Sequence, residues 1–226
     1  MIVANGDSFT QEIYLDKKDR WTYRIGVSFN LAHGGGSHER VLKTSIEFLN
    51  KNKPKIYIIG WPIYNRSMLP LTNGSVCIIN HSLPVDENTW EKHQDIKNFY
   101  YSRCYNEYYH FKTRLEYMIF LQNYCLDKKI KLLYFLSTQE DINDKFLLDI
   151  SRKAFMSKSN EDVSNQGILH NFNVLKELIQ TINDKIWIGN LWYSMQEHTE
   201  KFDLEESGHP GKEGSKHWSE FVKKYL

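Results

Sequence analysis

Very little in this chain is suited to covalent cross-linking, to a bilayer or to a polyanion. Its cysteines are few: Cys77, Cys104 and Cys125 are odd in number and far apart. They read as reduced thiols of a cytosolic protein and exclude a disulfide frame or a cysteine zinc site. No run reaches the roughly 18–20 apolar residues that a membrane span needs, and Asp7 arrives before a signal-peptide core can build up. The expected location is therefore cytoplasmic, with no membrane partner. Neither sign of charge dominates: 29 Lys+Arg stand against 28 Asp+Glu, for a net +1. That balance argues against a nucleic-acid partner. Repeats, low-complexity tracts and linkers are also missing, so residues 1–226 are expected to form a single domain.

What is present is 41% hydrophobic and 25% charged, the composition of a globular protein. Aromatics are plentiful at 14%, with 14 tyrosines, which suggests a tyrosine-lined cleft or interface in addition to core. Ile2 to Ala4 reads as a short buried strand, broken by the turn Asn5-Gly6-Asp7. Val27 to Leu31 is a second apolar run, ending at Gly34-Gly35-Gly36. Ser37 is a candidate N-cap, and Leu42, Ile46 and Leu49 at helical spacing predict an amphipathic helix over Ser37 to Lys51. Lys55 to Ile59, Lys131 to Leu136 and Ile186 to Ile188 are three further strands. Helices are expected over about Asp95 to Leu126, Asp141 to Met156, Phe172 to Ile182 and Lys212 to Tyr225. No hairpin signal joins the first strands, so the fold class is α/β, with a parallel five-stranded sheet covered by helices. Residues 62–106 are an atypical insertion, an excursion over the sheet edge with room for a hairpin around Thr72-Asn73-Gly74. Ser157 to Gln166 reads as a polar loop.

Four pieces fall after strand ends or in loops, where open α/β sheets place ligands. In Gly6-Asp7-Ser8 a glycine lets the chain turn sharply. The serine then opens a helical turn with its hydroxyl exposed and its N–H able to face an oxyanion. Asp7 is expected to hold that turn through side chain to backbone bonds. In His33-Gly34-Gly35-Gly36-Ser37 a glycine before a helix can bring a backbone N–H against a substrate oxygen. The third piece is Gly60-Trp61-Pro62. The fourth is Glu206-Ser207-Gly208-His209-Pro210, a histidine with a carboxylate three residues before it, which is a base with its orienter. No cofactor is expected. Metal binding by His33, His38 and Glu39 is not expected either, because no further ligand stands at a supporting spacing. The blander readings are a solvated helix face for Arg40, a surface position for His217, and interface filling by Tyr100, Tyr101, Tyr105, Tyr108 and Tyr109.

Taken in order, GDSFT at 6–10, NLAHGGGS at 30–37, KIYIIGW at 55–61 and ESGHPGKEG at 206–214 resemble the SGNH (GDSL-type) hydrolase superfamily. Trp21 also fits the spacing at which relatives show a tryptophan. The stretch from about Pro62 to Lys128 is not accounted for. The resemblance implies a three-layer α/β/α sandwich and ester hydrolysis through an acyl-serine. Ser8 would be the nucleophile, His209 the base and Glu206 the acid, with Glu205 and Asp203 as fallbacks. The N–H groups of Ser8 and Gly35 would be two arms of the oxyanion hole. Two departures stand out. Pro62 occupies the position where the family has a donor asparagine, and it offers no N–H. Tyr64, Asn65 and Arg66 are the nearby substitutes, with Asn65 or Arg66 preferred. Glutamate also replaces the usual aspartate before the histidine. His33, Gly36, Trp61 and Arg66 are the candidate substrate contacts. The expected substrate is a small or glycan-borne acyl ester such as an O-acetyl group. The alternatives are a binding protein on the same scaffold and an acyltransferase.

Overall fold

A computed structural model describes residues 1–70, 76–80, 105–155, 165–205 and 208–226. Its strands are β1 (Ile2–Asn5), β2 (Phe29–Asn30), β3 (Ile56–Trp61), β4 (Arg66–Pro70), β5 (Val76–Asn80) and β6 (Lys131–Leu136). The helices are α1 (Ser8–Gln11), α2 (Trp21–Arg24), α3 (His38–Lys51), α4 (Glu107–Asp127), α5 (Asp144–Lys153), α6 (Asn165–Thr181), α7 (Met195–Thr199) and α8 (Lys212–Lys223). The main sheet runs β2-β1-β3-β6, and every pair in it is parallel. β4 and β5 form a separate antiparallel hairpin inside the atypical insertion.

The period of two along β3 separates two cores. Tyr57, Ile59 and Trp61 face one way, with Val3, Tyr134 and Leu136, against Val41 and Leu49 of α3 and Phe111, Leu115, Met118 and Leu121 of α4. Ile56 and Ile58 face the other way, with Ala4, Leu133 and Phe135, against Phe9, Trp21, Trp218 and Val222. The sheet is thus covered on both faces, as all-parallel sheets must be. Helix starts follow side-chain chemistry: Ser37 caps α3 by accepting from the Arg40 N–H, and Asn106 and Asn143 cap α4 and α5 in the same way.

The expected fifth strand is a correction: among the described residues the sheet has four strands. Asp184–Ile186 winds into a 3-10 turn instead, with the Asn183 side chain accepting from the Lys185 N–H. Only one parallel bridge remains there, Tyr134 to Trp187, with the Ile188 N–H donating to the Tyr134 carbonyl at 2.8 Å. Three apolar residues in a row serve a buried turn as well as a strand. The second strand is likewise shorter than its apolar run. The helix expected from about Asp95 is described from Glu107 onward, and Tyr100, Tyr101 and most of the 157–166 loop lie outside the described residues.

Candidate active site

Ser8 sits on a tight turn. Gly6, at the end of β1, has φ +152°. A Cβ there would lie 2.5 Å from Thr10 Oγ1 and 2.6 Å from the Gly60 carbonyl oxygen, so only glycine fits. Asp7 is the N-cap of α1, and one of its oxygens accepts from the Phe9 N–H at 3.1 Å. Ser8 is the first residue of that helix. The turn carrying Ser8 is anchored by Asn5, whose Oδ1 accepts from the Gly6 N–H and whose Nδ2 donates toward Thr44 and Ser45 on α3.

His209 arrives from the opposite end of the chain. Its Nε2 stands 2.7 Å from Ser8 Oγ. Phe9 and Tyr14 lie against the imidazole at centroid distances of 4.7 and 4.9 Å, which fixes the ring plane. The segment carrying His209 is pinned on both sides. The Glu205 N–H donates to the His209 carbonyl at 2.8 Å, and Leu204 bridges Pro210. Asp203 is occupied elsewhere: its Oδ1 accepts from the N–H groups of Glu213 and Gly214, capping α8 from a distance. Glu205 is exposed, and Glu206 lies outside the described residues.

The glycine loop closes over the turn. The His33 N–H donates to the Gly6 carbonyl at 3.2 Å, and the Gly34 N–H donates to Gln11 Oε1 at 2.5 Å. Gly35 has φ +70° and is half-buried. Among the described residues, neither the Ser8 N–H nor the Gly35 N–H has an acceptor. Both backbone donors are therefore unused among the described residues.

Three of the expected substrate contacts, Trp61, Gly36 and Arg66, are buried in this structure. Trp61 has no exposed surface and packs edge-on against Tyr134 in the core. Gly36 is buried, a Cβ on it would press on the Gly6 carbonyl at 3.1 Å, and its N–H is spent on the His33 carbonyl. Arg66 is also buried, its Nη1 donating to the second oxygen of Asp7 at 2.8 Å. Only His33 is exposed, its Nδ1 2.7 Å from the Gly34 carbonyl oxygen. Asn65 is half-buried, and among the described residues its Oδ1 has no hydrogen-bond partner. Pro62 is buried, and its carbonyl accepts from Arg114 at 3.4 Å, while Arg114 grips Glu140 with both nitrogens at 2.6 and 2.7 Å.

Sequence reasoning missed the charge network around the Ser8 turn. Asp7, fully buried, accepts from the Phe9 N–H and from Ser137 Oγ (2.7 Å) through one oxygen, and from Arg66 through the other. Ser137 directly follows β6, so the pair ties the ends of β1 and β6 to the start of the hairpin. No spacing signal could have found a partnership between residues this far apart.

A second buried carboxylate, Glu12, ends α1 with φ +47° and accepts from the Trp21 N–H at 2.6 Å. Burial pushes it up from its ordinary 4.5 to about 8; the Trp21 bond and the charges of Arg20 and Arg24 oppose this only in part. The folded state then holds a proton that the unfolded chain releases above its ordinary pKa. Glu12 should therefore stabilise the protein fully below about pH 4.5 and lose that contribution as pH rises through about 8. In urea melts over that range, wild type should fall relative to Glu12→Gln by an amount on the order of a few kcal/mol. Parallel curves would mean that the carboxyl is already ionised in the fold.

No family model matches the sequence, and no curated protein matches it significantly. Solved structures do. TesA is similar over 100% of this chain and 97% of its own, at 12% identity and TM-score 0.51. A structure described as a lipolytic protein of G-D-S-L family from Desulfitobacterium hafniense DCB-2 covers 100% and 98%, at 11% identity and TM-score 0.49. The psychrotrophic esterase EstA from Pseudoalteromonas sp. covers 100% and 97%, at 11% identity and TM-score 0.49. At such identities the likeness to TesA speaks for the fold alone.

Proposed function

We propose, for a chain that has the fold of the SGNH (GDSL-type) hydrolases, that it is a serine esterase acting on a small or glycan-borne acyl ester such as an O-acetyl group. The observation that carries this reading is the 2.7 Å contact between His209 Nε2 and Ser8 Oγ at the C-terminal edge of the sheet. Such a contact lets neutral imidazole take the hydroxyl proton as Oγ attacks the ester carbonyl. The tetrahedral oxyanion would be received by the N–H groups of Ser8 and Gly35, each worth roughly 3 kcal/mol in sites of this kind. His209 then returns the proton to the departing alcohol, leaving an acyl-serine. Water, deprotonated by the same imidazole, frees the carboxylic acid. Glu206, three residues before the base, is proposed as its orienter; the capping duty of Asp203 removes one fallback.

Pro62 leaves the third oxyanion donor to be found. Asn65 is the proposed substitute, being half-buried on the same connection with an amide that makes no hydrogen bond among the described residues. Arg66 is less suited, since Asp7 holds it. His33 is the remaining candidate contact for substrate. A binding protein on this scaffold is the second reading, favoured by the buried Pro62; an acyltransferase, with an alcohol in place of water, is the third. Treatment with a fluorophosphonate should add one phosphonyl group per chain, with loss of fluoride, and peptide mapping should place it on Ser8. Turnover of p-nitrophenyl acetate should be lost in step, and its ratio to butyrate sizes the acyl pocket. No adduct and no turnover would leave the binding reading standing. Among the described residues, no helix is long and apolar enough to cross a membrane.

A further inference from the structure

The first turn of α3, immediately after the glycine loop, carries an unresolved polar account. His38 has no exposed surface, and among the described residues neither of its ring nitrogens makes a hydrogen bond. Its Nε2 lies 3.0 Å from Glu39 Oε1, in a close contact that does not meet hydrogen-bond geometry. Buried polar groups are almost always satisfied, and one that is not needs an explanation. The first turn of α4 brings His110 to the same place, its ring 6.0 Å from that of His38 and stacked on Tyr105 at 4.8 Å. One donor atom from each of His38, Glu39 and His110 falls within 4.8 Å of the others, the one such grouping among the described residues.

We infer that His38, Glu39 and His110 form a binding site for a divalent transition cation of the zinc class, clipping the start of α3 to the start of α4. Two imidazole nitrogens and one carboxylate oxygen are a borderline donor set suited to zinc. Around a tetrahedral ion with bonds of about 2.1 Å, donors stand ~3.4 Å apart. One edge is thus already close to length, and the others need only rotamer adjustment. The Glu39 side chain is 28% exposed, which leaves an entry path and a side for a water in the fourth position. Spacing along the chain could not reveal the set, because His110 joins it only through the packing of α4 on α3. The clip is separate from the Ser8–His209 pair and does not depend on the esterase reading.

The test uses chelator-dialysed full-length protein titrated with zinc chloride by calorimetry, with cobalt as the optical probe. Wild type should bind one zinc per chain, cobalt should give the intense visible bands of a four-coordinate ion, and zinc should raise the melting temperature. His110→Ala and Glu39→Gln, which spare the buried His38, should each weaken binding by a hundredfold or more and abolish the thermal shift. His217→Ala should leave all three readouts unchanged. A wild-type titration without a one-to-one step, or one that both variants reproduce, would overturn the site.

Discussion

Replacing Ser8 by alanine should lower kcat for p-nitrophenyl acetate by at least about a thousandfold with little change in KM, and His209→Ala should cost about as much. The geometry sets this scale. On the esterase reading, Ser8 Oγ and His209 Nε2, 2.7 Å apart, act as one unit. Without the imidazole the hydroxyl is a poor nucleophile; without the hydroxyl the imidazole has nothing to activate. The double variant should therefore be scarcely slower than either single one, because losses within a catalytic unit do not add. A residual rate above that of buffer should survive in all three, since the Ser8 and Gly35 N–H groups are backbone and remain. Steady-state kinetics on purified, folded variants decides the matter. Full activity in Ser8→Ala would overturn the assignment of the nucleophile, and additive losses would mean that the two residues act in separate steps.

The second large effect is on stability. Arg66→Met should destabilise the fold by roughly 3–5 kcal/mol, because it strands a carboxylate in the interior. The Asp7 side chain has no exposed surface, and that of Arg66 has 10%. Removing the cation leaves the Phe9 N–H and the Ser137 hydroxyl as the only partners of a buried charge among the described residues. In a chain of this size such a loss corresponds to a drop in Tm of about 10 °C. Removing both charges together, in the Asp7→Asn/Arg66→Met pair, should recover part of it, and the coupling can be read from a double-mutant cycle in urea. If the single variant loses less than about 1 kcal/mol, the pair behaves as an exposed one and the network does not hold the turn. Because Arg66 is engaged by Asp7, the variant's KM should stay near wild type where the protein is folded. A selective rise in KM would restore Arg66 as a substrate contact.

The elements that carried strong local signals were legible. The period of two in β3, the serine cap of α3 and the turn at Gly6 each follow from a few neighbouring residues, and the motifs at the two chain ends meet at 2.7 Å. What was not legible was of two kinds. Ile186–Ile188 was too short for composition to separate a strand from a turn. Trp61, Gly36 and Arg66 sit beside the site in sequence but turn into the interior. A side chain's direction at the end of a strand is set by packing partners contributed from elsewhere: Tyr134 for Trp61, and Asp7 for Arg66. For the same reason the His38–Glu39–His110 grouping and the Asp7–Ser137 bond were invisible, since each joins segments that only the folded sheet brings together.

The distance along the chain between the two halves of the site has a kinetic meaning. Under the esterase reading, Ser8 comes from the first strand and its turn, whereas the imidazole is held by a segment fixed through the Leu204–Pro210 bridge and the Asp203 cap of the C-terminal helix. A partly assembled molecule in which that helix has not docked would own a serine and no base. Under the esterase reading, the return of turnover during refolding therefore clocks the closure of the chain's two ends, and its lag behind the return of helical signal measures how late that closure comes.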